Sequence, residues 1–139
     1  MTLKILVPVD GSACSMRALR YAARRYRESR GVCLMLLNVQ LSAPPSALFP
    51  MEIVREHQEQ MAEKCLVPAR RVCKRFGIAC RASIQEGDPA DIIASLARRS
   101  RCGEIVMGTR GLGRISGLML GSVATKVIHL ATVPVTLIK

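Results

Sequence analysis

The chain has 139 residues and a mass of 15.2 kDa, the size of one ordinary domain, and half of it is apolar while 22% is charged, which excludes disordered, collagenous and low-complexity classes. It contains no Trp, and Tyr21, Tyr26, Phe49 and Phe76 are its only aromatic rings, too few for the stacking platforms of single-strand nucleic-acid modules. Lys and Arg number 21 against 10 Asp and Glu, a net charge of +11 that favours anionic partners without choosing among nucleotides, nucleic acid and anionic lipid.

Leu3 to Val9 is a short apolar run bounded by Asp10-Gly11-Ser12 and reads as a buried strand. From about Ser12 to Arg30 the period becomes helical, with Met16, Leu19, Ala23 and Tyr26 as the core stripe and Gly31 as the stop. Val32 to Gln40 is a second buried strand, and Leu41 to Ser46, with consecutive prolines, is a loop. A longer helix is predicted from around Pro50 to Phe76, with Val54, Met61, Cys65, Ala69, Val72 and Phe76 as its stripe. Pro68 lies inside it and is expected to kink it, since proline removes a backbone donor and crowds the preceding turn. Gly77 ends that helix, and Ile78 to Gln85 alternates as a strand.

Gly87-Asp88-Pro89 is a helix start, with Asp88 as N-cap and Pro89 at the first helical position. Ile92, Ile93, Leu96 and Ala97 supply the apolar face of the helix that follows. Glu104 to Met107 is a fourth strand, a glycine-rich loop runs from Gly108 to about Leu118, a helix covers roughly Gly121 to Leu130, and Val133 to Ile138 is the last strand. Solid apolar strands alternating with amphipathic helices imply an α/β fold, a doubly wound parallel sheet covered on both faces, in one domain over residues 1–139. Such a sheet binds ligands where the chain reverses its winding direction, beyond the carboxyl ends of the strands. The loops at Asp10 to Ser12, Leu41 to Ser46 and Gly108 to Gly121 are therefore the candidate site.

Cys14, Cys33, Cys65, Cys73, Cys80 and Cys102 form no C-x-x-C pair, so they read as reduced structural thiols in a cytoplasmic chain. The amino terminus lacks the apolar stretch and cleavage site of a signal peptide, and no apolar run approaches the ~20 residues that span a bilayer.

Gly108, Gly111, Gly113, Gly117 and Gly121 make the run from Gly108 to Ser122 the densest glycine cluster, and it sits between a strand and a helix. Glycines let backbone N–H groups turn toward one point, and the helix start adds partial positive charge, so the segment reads as a phosphate cradle with Arg110 and Arg114 as further donors. It is not a Walker A loop, for it contains no lysine. Nor is it the dinucleotide fingerprint, because Ser116 stands where glycine is needed and the loop follows the fourth strand, not the first.

The spacing Gly108, Gly111, Gly121-Ser122 resembles the G-x2-G-x9-G-S/T signature of the ATP-binding branch of the universal stress protein family. The segments Ile5 to Ser12, Glu86 to Pro89 and Val133 to Ile138 are similar to that family's first strand and turn, strand-three to helix-three junction and terminal strand. The resemblance implies strand order 3-2-1-4-5 and a homodimer through the fifth strand. It also implies ATP, or ADP or AMP, as a bound effector in a stress response, with Mg or Mn accompanying it and Asp10 helping through water. Gly108, Gly111, Gly121 and Ser122 would hold phosphates and ribose with Val123 as an added backbone donor; Asp10 would accept from the nucleoside; Val9, Val39 and Met107 would wall the adenine slot.

Plainer roles stand beside these. Asp10 also suits an N-cap of the first helix, and His57 and His129 read as solvated or capping residues. No Ser/His/Asp or Cys/His pair falls on the candidate loops, and no acid besides Asp10 is placed to orient water, so slow ATP turnover at most is expected. The basic residues crowd the ends of the first three helices, where they complement the helix dipole on the rim away from the candidate site. A charge-driven nucleic-acid or membrane contact, an acidic protein partner, or a nucleotide-free interaction dimer are the competing functions.

Overall fold

The computed structural model describes residues 1–112 and 120–139. The elements run β1 (Leu3–Pro8), α1 (Ala13–Tyr26), β2 (Val32–Gln40), α2 (Met51–Phe76), β3 (Ala79–Glu86), α3 (Pro89–Arg99), β4 (Glu104–Gly108), α4 (Ser122–Leu130) and β5 (Val135–Ile138). The strands form one parallel sheet in the order β3-β2-β1-β4-β5, as expected.

Period-two alternation divides the core between the faces of the sheet. Ile5, Val7, Leu34, Leu36 and Val106 pack with Leu19, Ala22, Leu66 and Ala69 of α1 and α2. Leu6, Leu37, Ile105 and Met107 pack with Ile93, Ala97, Ala124 and Val127 of α3 and α4. β1 and β4 are neighbours, yet the chain winds outward from β1 through β2 to β3 and then returns to β4 and β5. Their carboxyl ends therefore carry loops that depart in opposite directions and open a crevice between them.

Several boundaries differ from the sequence reading. α1 ends at Tyr26, not Arg30, because no apolar side chain after Tyr26 returns to the sheet. The buried line of α2 is Ala62, Leu66, Ala69 and Cys73; Cys65, Val72 and Phe76 flank it half-buried, and Met61 is exposed. α2 is continuous through Pro68, whose ring lies on the exposed side. β5 begins at Val135, because Pro134 has no N–H to give the ladder and contributes only its carbonyl, which accepts from Ile105 N at 2.9 Å. No helix among the described residues is long and apolar enough to cross a membrane.

A buried carboxylate ties one end of the sheet together. Glu104, at the start of β4, is 8% exposed and accepts from the hydroxyls of Tyr26 and Thr136. Burial, then that carboxylate, pushes the Tyr26 phenol above its ordinary range.

Candidate functional site

A cavity of about 250 Å³ lies at the carboxyl ends of β1 and β4. Its inner wall is apolar, made by Val9, Leu37, Val39, Ile93 and Met107. Its other wall is drawn from Gly108 to Leu112 and from Gly121 to Ala124, where α4 begins. Asp10 is the only carboxylate among the described lining residues.

Local chemistry sets each part. Val9 continues β1 by donating N–H to Leu37 O at 2.8 Å, and its own carbonyl accepts from the buried Asn38 side chain at 2.8 Å. That amide also accepts from Gln40 Nε2 at 2.7 Å, so the slot between β1 and β2 is rigidly framed. Asp10 does not cap α1. Ser12 does, accepting from Ser15 N at 3.1 Å, while Asp10 Oδ1 accepts from Ser12 N at 2.9 Å and holds the turn in place. The other oxygen of Asp10 faces Gly111, where an added Cβ would sit 2.6 Å from Oδ2. Glycine at 111 is thus what lets the carboxylate and the loop approach.

Gly121 has a different reason from the one its spacing suggests. A Cβ there would meet Thr109 O at 3.2 Å, and Gly121 N donates to that same oxygen at 2.6 Å. Its lack of a side chain closes the glycine turn onto the helix start, in addition to leaving space beside the cavity. α4 has Gly121 as N-cap, no side-chain cap and no acid in its first turn. α1 and α3, by contrast, are capped by Ser12 and Asp88. The first-turn amides of α4, at Ser122, Val123 and Ala124, have no intrahelical acceptor and sit on the cavity wall. An uncapped helix start facing a hollow is an anion site in waiting.

Two thiols flank the site from beneath. Burial alone would raise the Cys14 thiol, but the Arg110 backbone, Thr109 and the Arg17 charge outweigh it and hold it below the ordinary thiol range. Burial, followed by the Asp10 charge, pushes Cys65 up, and its sulfur sits where a Cβ on Gly11 would come within 3.0 Å.

A model of the universal stress protein family matches residues 1–139. The chain belongs to the universal stress protein family. Among its relatives, the universal stress protein YxiE of Bacillus subtilis is 32% identical over 146 residues, covering 98% of this chain and 98% of that one. A universal stress protein of Archaeoglobus fulgidus solved in complex with dAMP superposes with a TM-score of 0.70 at 27% identity, covering 100% of this chain and 98% of that one. A universal stress protein family protein of Arabidopsis thaliana solved with AMP bound gives a TM-score of 0.73 at 26% identity, over 99% of this chain and 91% of that one.

The structure brings Val9, Asp10, Val39, Met107, Gly108, Gly111, Gly121, Ser122 and Val123 onto the one cavity. Arg110 is there as well, while Arg114 lies outside the described residues. Sequence reasoning did not single out Pro8, Ser15, Leu37, Pro89, Ile93, Thr109, Leu112 and Ala124 as lining residues. It also missed Asn38, the one buried amide in β2, which an otherwise apolar strand should have flagged as a group with a dedicated partner. His57 and His129 are on α2 and α4, away from the cavity lining.

Proposed function

We propose that this universal stress protein binds an adenine nucleotide, with ATP as the native effector, and turns it over slowly or not at all. The observation that carries the reading is the pairing, in one cavity, of an apolar slot with an uncapped helix N-terminus. Val9, Val39 and Met107 suit a flat base, and Asp10 suits a ribose hydroxyl or base N–H as acceptor. Gly108, Gly111, Ser122 and Val123 suit phosphate oxygens through backbone N–H groups and the Ser122 hydroxyl, while Gly121, whose N–H is taken by Thr109 O, gives them room to approach. A volume of about 250 Å³ takes base and ribose and leaves the phosphates along the mouth. The relatives solved with AMP and dAMP support the same ligand class.

Among the described residues no group of three or more His, Cys, Asp or Glu side chains could hold a metal. A Mg or Mn ion accompanying the nucleotide would be held mainly by the phosphate oxygens, with Asp10 as the lining carboxylate that would assist through water. Hydrolysis needs a group that orients the attacking water. Asp10, whose Oδ1 is already held by Ser12 N–H, is the sole lining carboxylate among the described residues to do it. Turnover is expected below about one per second.

A second copy of the chain fits against β5. That strand pairs with β4 on one side only and is half-buried throughout, and an unpaired edge invites pairing. Light scattering is expected to give a dimer mass.

Titration calorimetry with ATP, ADP, AMP and adenosine is the test of the nucleotide reading. Saturable binding of one nucleotide per chain, retained in high salt, is expected. No heat with any adenine compound at millimolar concentration would leave the protein a nucleotide-free interaction module.

A further inference from the structure

The edge of the sheet opposite the cavity carries charge that nucleotide binding does not use. Arg24, Arg25, Arg27 and Arg30 lie at the end of α1 and in the turn after it. Arg70, Arg71, Lys74 and Arg75 lie in the last turns of α2, and Arg98, Arg99 and Arg101 at the end of α3. All of them are exposed. Because every strand is parallel and each helix returns the chain, these three helix ends fall on one rim. α1 and α2 reach it on one face of the sheet and α3 on the other, so the cations flank that edge from both sides. Glu28 is the one acid within these segments, 3.5 Å from Arg27, and Glu63 holds Arg70 at 2.8 Å. Among the described residues no other ion pair engages these cations.

Complementing helix dipoles does not explain the set. The dipole asks for positive charge in the last turn, and lysine supplies that as well as arginine. Here all but Lys74 are arginine. A guanidinium differs from an ammonium in its planar fork of donors, which grips phosphate oxygens in pairs. Arg101 is the more telling residue. It is the one described non-glycine residue in the left-handed region, at φ 55°, whereas the turns after α1 and α2 fill that conformation with Gly31 at φ 71° and Gly77 at φ 66°. The fold keeps an arginine on the rim at a position where glycine is the unstrained choice.

The scarcity of rings narrows the partner. Tyr26 and Phe76 are half-buried against the core, and Tyr21 is the one exposed ring beside these ends, its hydroxyl accepting from Arg25 at 3.0 Å; a single ring is no platform for successive unstacked bases or for a lipid interface. An arginine-forked surface with one exposed ring matches regularly spaced phosphates better than it matches unstacked bases.

We propose that the rim formed by the carboxyl ends of α1, α2 and α3 docks the phosphodiester backbone of double-helical nucleic acid without reading its sequence, with Arg101 in direct contact. This inference does not depend on the nucleotide reading, since the two surfaces lie at opposite edges of the sheet. If about five phosphates are neutralised, log affinity falls with log salt at a slope near −4.5, so that doubling the salt weakens binding roughly 20-fold.

The experiment is fluorescence anisotropy of a labelled DNA duplex of about 20 base pairs, titrated with the full chain between ~50 and ~200 mM NaCl. It is run with and without AMP, on wild type, on Arg101→Gly, and on Arg98→Gln/Arg99→Gln/Arg101→Gly. Expected are micromolar affinity at the low salt, the steep slope, indifference to AMP, and a loss of about tenfold or more in the triple variant. Arg101→Gly alone is expected to weaken duplex binding several-fold while raising the melting temperature, a pairing that a purely structural arginine would not give. The proposal is overturned by no binding at low salt, by a slope shallower than about −2, or by a triple variant that binds like wild type. It is equally overturned if Arg101→Gly melts lower or keeps full affinity. Vesicles of phosphatidylserine and phosphatidylcholine, or poly-glutamate, holding the protein as tightly as the duplex at equal charge would assign the rim to a membrane or an acidic protein instead.

Discussion

Ser122→Asp sets helix stability against ligand binding. Ser122 is the first residue of α4, exposed, with no acid in its turn and no side chain capping the helix. A carboxylate there meets the positive end of the dipole and stabilises the helix by about 0.3–1 kcal/mol. With an unfolding entropy of roughly 2.1 cal/mol/K per residue over 139 residues, the melting temperature rises by about 1–3 °C. The same carboxylate repels a bound phosphate. Two unit charges ~5 Å apart at an effective dielectric of ~20 repel by about 3 kcal/mol, and salt screening at an exposed site halves this, leaving a 10- to 30-fold loss of affinity. The assay is calorimetry with ATP and with adenosine on wild type, Ser122→Asp and Ser122→Asn, beside thermal melts. ATP affinity falls in the aspartate variant, much less in the asparagine variant, and adenosine binds all three alike. ATP binding that survives Ser122→Asp within twofold, or adenosine binding lost together with it, would refute the assignment of phosphates to this helix.

Other consequences concern stability. Glu104→Ala strips the acceptor from the Tyr26 and Thr136 hydroxyls and is expected to cost about 2–4 kcal/mol, lowering the urea midpoint by about 1 M or more. Pro68→Ala restores an N–H to the middle of α2 and is expected to stabilise the protein by about 1–2 kcal/mol, with a urea midpoint that falls as the contrary result. The Asp91 backbone N–H, then Lys126, hold the Asp88 carboxyl below its ordinary value, so its contribution is complete above the unfolded value near pH 4 and is lost as pH falls through the folded one. Asp88→Asn keeps the cap but does not titrate, and pH-dependent melts are expected to show a shallower acid limb for it.

The fold was legible because its signals are redundant. Four strands are apolar runs and the third alternates, each helix has a period, and Asp88-Pro89 and Gly77 mark helix ends by local chemistry alone. What failed was register. Hydrophobicity drew the α2 stripe through Met61, but the sheet is closest to Ala62 and Leu66, and alanine carries little pattern signal although its small size lets a helix approach. Arg27 to Arg30 are sound helix formers, so nothing local stopped α1 at Tyr26; the end of its core contact did.

The site was legible where glycine spacing and a strand end coincide. Leu37 and Ile93 were missed because their types suit any core, and only the crevice between β1 and β4 turns them into a wall. The Tyr26–Glu104–Thr136 cluster joins three segments far apart in sequence and leaves no motif.

The central claim is that first-turn amides of α4 receive the phosphates. Nitrogen-15 NMR of the labelled protein tests it residue by residue during an ATP titration. The account predicts the largest shifts at Ser122, Val123 and Gly111, smaller ones at Val9 and Val39, and none at Arg98 to Arg101 once ionic strength is matched. Shifts confined to the basic rim, with Ser122 and Val123 unmoved at saturation, would contradict it.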